Sequence, residues 1–135
     1  MSYATRADYE ARYGTAELLQ RETMLPAGAV AQALADADST IDGYMLGRYA
    51  VPLSPVPSNL VTVACRHVRY AILGNAADDR ARKDHEDAMA WLKDVASGKV
   101  SLPAATALAA VVQGDAKPVS RTTARQFDGD SLAAY

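Results

Sequence analysis

The chain has 135 residues, half of them apolar and 22% charged, which fits one folded domain and leaves little room for a second. A formal charge of −2, from 14 Lys and Arg against 16 Asp and Glu, excludes a strongly basic nucleic-acid binder and an acidic disordered tail protein. One Cys excludes an internal disulfide framework and a Cys-based zinc site, and no apolar run approaches the roughly 20 residues of a membrane span.

The opening Met1-Ser2-Tyr3-Ala4-Thr5-Arg6 lacks the charged-then-apolar order of a signal peptide, so a soluble domain made in the cytosol is expected. Ala supplies 28 residues, which favours helix and close helix packing. Thr5 to Asp8 reads as a capping box with Asp in place of Glu, opening a short helix that runs to Tyr13 and stops at Gly14. Thr15 is expected to cap a second short helix, Ala16 to Arg21, with Leu18 and Leu19 as its apolar contacts.

A long helix follows Pro26, a residue tolerated in a first turn because its missing N–H has no partner there. Val30, Leu34, Ala37, Ile41, Tyr44 and Arg48 fall on one stripe, and the helix is expected to end near Arg48-Tyr49. Gly43 lies inside it, where a glycine implies a close backbone approach or a bend. Pro52, Pro55 and Pro57 then make a stiff, extended connector that cannot be helix interior or central strand. Ser58 is expected to cap the next helix, with Leu60, Ala64, His67 or Val68, Ala71 and Ile72 as its stripe and Gly74-Asn75 as its end. Asp78 starts the last long helix, whose stripe passes through His85, Ala88, Leu92 and Val95 and which closes at Ser97-Gly98.

These elements predict an all-α fold. A small bundle of about three main helices with short N-terminal helices occupies residues 1–103. An extended C-terminal tail, 104–135, follows it. Within the tail, Ala104 to Val112 fits a short helix or a strand, and Ser120 to Tyr135 is polar with isolated Phe127, Leu132 and Tyr135. Such a segment makes no core of its own, so it is expected to be pinned on a neighbouring subunit or another protein.

Candidate chemistry is thin. Cys65 and His67 stand two residues apart, about 200° around a helix, so they cannot form a nucleophile–base pair, and each reads as a packed core or interface residue. His85, among Lys83, Asp84, Glu86 and Asp87, reads as part of a solvated face. Asp38 and Asp42 are an i, i+4 pair that with Asp36 invites a metal reading, but no third ligand stands at a convincing spacing; they read better as polar helix positions, open to an Arg on a neighbour. Asp128-Gly129-Asp130 lacks the frame of a calcium loop, and no phosphate-binding Gly loop or nucleophile elbow is present. No enzyme activity, metal or cofactor is therefore expected. Seven Tyr against one Phe and one Trp suit either protein interfaces or the edges of a small core. Arg66, Arg69 and Arg80 to Lys83 could form a basic edge, though the interleaved acids favour a contact between subunits over DNA.

The run Ala35-Asp36-Ala37-Asp38-Ser39-Thr40-Ile41-Asp42-Gly43-Tyr44, followed by Arg48-Tyr49 and Pro52-Leu53, resembles the Mu-like phage neck protein family. The resemblance continues through Pro57, Leu60, Ala64-Cys65, Arg69-Tyr70, Glu86-Asp87-Ala88, Trp91-Leu92 and Gly98, and takes in Tyr3, Thr5, Asp8 and Tyr13-Gly14. It covers about residues 3–102 and becomes loose in the tail. It implies a structural virion protein, a head-to-tail connector (adaptor) in the virion neck, assembled in the host cytoplasm. Such a protein would form a ring, usually of twelve subunits, below the portal. It would dock the next neck protein and let double-stranded DNA pass through its lumen without specific binding. A stopper or tail-completion protein of the same neck is the alternative. A small helical DNA-binding regulator is the second, although a proline-rich connector does not suit a helix-turn-helix. On this reading Arg48, Tyr49, Pro52 and Leu53 are candidates for docking, and Arg121, Arg125, Phe127 and Tyr135 for contacts made by the tail. Gly43 would admit a neighbouring helix.

Overall fold

A computed structural model describes residues 2–102, and among them every regular element is helical. Five α-helices follow in chain order: α1 Arg6–Tyr13, α2 Thr15–Met24, α3 Ala29–Met45, α4 Ser58–Leu73 and α5 Asp79–Ser97, with one 3-10 turn, Gly74–Ala76, after α4. The small all-α bundle expected from the sequence is what forms. The expected tail, with Arg121, Arg125, Phe127 and Tyr135, lies outside the described residues.

Local chemistry sets most helix ends. Thr5 and Asp8 make the expected reciprocal capping box, and Asp78 accepts the backbone N–H of Ala81 at 2.8 Å to open α5. Gly98 closes α5 in the left-handed conformation that glycine adopts without a Cβ clash. Three expected helix starts shift. Gly14, not Thr15, caps α2, which runs on to Met24; Gly28 precedes α3, leaving Pro26 outside the helix; and Pro57 precedes α4, making Ser58 its first residue. None of these three caps carries a side-chain hydrogen bond.

The α3 helix also ends sooner than expected, at Met45. The Met45 carbonyl accepts the N–H groups of both Arg48 and Tyr49, each at 2.9 Å, which tightens the chain into a turn. Its buried face is Val30, Ala33, Ala37, Ile41 and Met45. Beyond Val30 and Ala33 this stripe steps by four throughout, whereas the expected alternation of three and four leads to Leu34, Tyr44 and Arg48, which sit half-buried at its flank.

Helix α4 is central, packing on α3 and α5, which also touch each other. Leu60, Val63, Ala64, Cys65, Val68 and Ile72 from α4 join Ala88, Leu92 and Val95 from α5 in one apolar core. Each fully buried aliphatic chain contributes about 1.5–3 kcal/mol. Ala71, expected in the α4 stripe, is exposed, and Leu73, Ala77 and Ala81 form a separate small cluster at the α4–α5 corner. Helices α1 and α2 make an N-terminal hook against this body. No helix among the described residues is long and apolar enough to cross a membrane.

Candidate functional site

The start of the proline connector is fixed to the body by two tyrosines that belong to the core. Tyr3 is 2% exposed and ties three segments together. Its backbone N–H donates to Asp38 Oδ1 at 2.8 Å, its hydroxyl donates to Asp42 Oδ1, and the same hydroxyl accepts the Leu53 N–H at 3.1 Å. Burial and the Asp42 carboxylate together push the Tyr3 phenol up to about 12. Asp38 and Asp42 thus each hold a group of Tyr3 in the chain's own N-terminal segment. The third acid, Asp36, accepts from Gln32 Nε2 at 2.8 Å. Among the described residues no three His, Cys, Asp or Glu could hold a metal ion.

Just before the connector, Arg48 and Tyr49 hold the close of α5. Arg48 Nη1 donates to the Val95 carbonyl at 2.7 Å, a carbonyl in the last turn where a cation also complements the helix dipole. Gly98 meets two demands here. Its φ of +89° favours glycine, and a Cβ would stand 3.4 Å from the Arg48 guanidinium. The Tyr49 hydroxyl accepts the Leu102 N–H at 3.1 Å, so the chain leaves the body beside the connector.

The four docking candidates of the body fall into two kinds. Pro52 is exposed, whereas Tyr49 and Leu53 face the core at 4% and 1% exposure, and Arg48 is half-buried on α5. What the connector turns outward is Leu46, 64% exposed, with Gly47, Ala50, Pro52, Ser54 and Pro55. Sequence reasoning missed Leu46 because a helix ending near Tyr49 would have carried it through another turn. On the hook Leu19 and Met24 are exposed, and a recess of about 380 Å³ is lined by Arg6, Glu22, Leu25, Pro26, Ala29 and Leu34. Among the described residues Gly43 approaches nothing, since a Cβ there would have no atom of theirs within 4 Å.

The remaining polar residues fasten helices. Glu17 accepts from the Tyr9 hydroxyl at 2.9 Å and from Arg69 Nε at 2.9 Å, and the Arg69 guanidinium sits 4.6 Å from the Tyr13 ring centre. Partial burial opposes ionisation of Glu17, but the Arg69 and Tyr9 hydrogen bonds outweigh it and hold the carboxyl below its ordinary value. Arg69 is therefore part of an internal clasp joining α1, α2 and α4, not part of a free basic edge. Cys65 is buried, as expected, and burial pushes its thiol up. His85 departs from the solvated face assigned to it. Its Nε2 lies 3.2 Å from His67 Nδ1, and Tyr70 stacks on its ring at 4.2 Å. Three of the seven tyrosines, Tyr3, Tyr9 and Tyr49, are buried with bonded hydroxyls, which places them on the core side of the two readings left open.

Comparison with known proteins matches residues 3–120 to the family described as Bacteriophage Mu, Gp36. The chain is 42% identical over 106 residues to the Mu-like prophage FluMu protein gp36 of Haemophilus influenzae, covering 74% of each chain. It is 35% identical over 121 residues to gene product J of Escherichia phage Mu, covering 85% of this chain and 86% of that one.

Proposed function

Because the chain belongs to the bacteriophage Mu Gp36 family, we propose that this Mu-like phage protein is a structural virion component, a head-to-tail connector. In this reading copies form a closed ring of about twelve below the portal, each touching two neighbours through unlike surfaces. The ring extends the DNA channel and docks the next neck protein.

The observation that carries the reading is the family match over most of the chain. The connector geometry supports it. Leu46 and Pro52 are held outward on a segment fixed by Tyr3 and Tyr49, so little freedom is lost when that edge docks. In this reading the residues after Leu102 reach a neighbouring subunit or the portal. Twelve linked contacts multiply modest individual affinities, and a tail that docks only on the portal keeps free subunits monomeric. A net charge of −2 suits a lumen that lets DNA slide without gripping phosphate.

The test is to add the purified protein to DNA-filled heads that lack it and image the portal vertex by electron microscopy. A new ring directly beneath the portal is expected. Binding only to heads that already carry another neck protein would move the chain one layer down, to stopper or tail completion. Salt-sensitive binding to free duplex would instead favour the regulator reading. Removing 104–135 should abolish attachment while circular dichroism of the body stays helical; retained attachment would refute the role of the tail.

A further inference from the structure

We propose that His67 and His85 form an acid-opened latch between α4 and α5, independent of the role proposed above. Their ring nitrogens meet at 3.2 Å, and among the described residues this is the only hydrogen bond between side chains of these two helices. The two rings are 5.2 Å apart and tilted by 40°. Tyr70, one turn along α4 from His67, also stacks on His85, at 4.2 Å and 14°. The α5 imidazole is therefore gripped by two α4 side chains.

The chemistry of the pair makes the grip conditional. An imidazole–imidazole hydrogen bond needs one N–H donor and one bare nitrogen. Two neutral rings meet that need, and so does one imidazolium facing one neutral ring. Two imidazolium rings do not, because both facing nitrogens then carry protons and both rings carry charge. The latch thus survives a first proton and fails on the second, as a coupled pair. The charged groups acting on it are few. Asp36 from α3 attracts a proton to His67, and Glu86 on α5 does the same for His85. Against them, burial lowers the proton affinity of both rings, and the charge of His85 lowers that of His67 further.

The region behind the latch has little else to hold it. Leu73, Ala77 and Ala81 make a cluster apart from the main core, at the corner where α4 turns into α5. Tyr70 is already 36% exposed. Losing the latch frees the Tyr70 ring and lets this corner open as a local unit, while α3 and α4 stay packed.

Amide hydrogen exchange on the full-length chain, corrected for intrinsic rates, tests this between about pH 7.5 and pH 5. Protection across residues 67–73 and 81–88 is expected to fall about ten-fold in the wild type, the loss produced by one extra proton bound on opening per pH unit. Protection across α1 and α2 should hold. His85→Gln keeps an amide donor toward His67 but removes one titrating ring and the second charge, so its protection should fall clearly less than that of the wild type over the same range. An equal fall in both proteins, or none in the wild type, overturns the latch. If the variant does not fold, imidazole NMR of the wild type decides. Two separated titration steps, with Tyr70 ring signals following the second, support the latch; two coincident independent titrations refute it.

Discussion

The long-helix body and the N-terminal hook of this protein are secured by different forces. Body helices α3, α4 and α5 meet through aliphatic and alanine side chains that bury almost completely, with few polar bonds among them. The hook has few core residues, Tyr9 and Leu18 foremost, and is held by named polar contacts: Glu17 with Arg69 and Tyr9, and Tyr3 with Asp38, Asp42 and Leu53. Apolar burial is additive and tolerant of small shifts. A polar clasp depends on a few atoms and on the ionisation state of its members. The hook should therefore loosen under conditions that leave the body intact.

The largest effect should come from the body. Leu92→Ala removes a side chain 1% exposed at the α4–α5 contact and should lower the unfolding free energy by about 2–5 kcal/mol. Chemical denaturation should show the loss with single-step unfolding; a loss confined to the hook would break the division drawn here. Arg69→Ala comes next. It strands the half-buried Glu17 carboxylate and removes the guanidinium over Tyr13, for an expected cost of about 1–3 kcal/mol. Hydrogen exchange should locate that cost in α1 and α2, and the double variant with Glu17→Ala should be less damaging than the sum.

Tyr3→Phe deletes one hydroxyl, leaving the Leu53 N–H buried without its partner and Asp42 without a donor, and should cost about 1–2 kcal/mol. Its sharper consequence is on the connector. If the fixed edge at Leu46 and Pro52 docks on the neck, this variant should attach to heads more weakly while its α4–α5 exchange is unchanged. Acid offers a reversible version of the Arg69 experiment. The folded-state value of Glu17 is lowered from its ordinary 4.5, so its contribution is complete above that value and disappears as pH falls through the folded value. The hook should thus detach below about pH 4.5, and Glu17→Gln should remove that step from a tryptophan-independent probe such as exchange in α1.

The helices were largely legible in the sequence because their signals are local. A capping box needs only Thr5 and Asp8, the Asp78 cap only Ala81, and the Gly98 stop only a glycine after a helical run. The clasps were not legible, because their partners lie far apart in the chain. Tyr3 reaches Asp42 across 39 residues, Arg48 reaches Val95 across 47 and Glu17 reaches Arg69 across 52. An acid on a helix looks the same in sequence whether it faces water, a neighbour or the chain's own N-terminus. The end of α3 was missed for the same reason: what stops the helix at Met45 is the set of distant partners that Arg48 and Tyr49 go on to meet.

The smallest expected effect is the most informative about assembly. Gly43 is exposed inside α3, and a Cβ there would meet no atom of the described residues within 4 Å. Gly43→Ala should therefore stabilise the isolated subunit by about 0.5–1 kcal/mol, the ordinary gain of replacing a helix-interior glycine by alanine. A glycine that weakens its own helix and makes room for nothing among the described residues suits a site where another chain comes close. In the ring proposed here, the same variant should melt at a higher temperature and yet attach to heads less well, the methyl group standing where a neighbour's backbone belongs. Higher stability with full attachment would remove Gly43 from the interface and leave Leu46 and the connector as the edge to test.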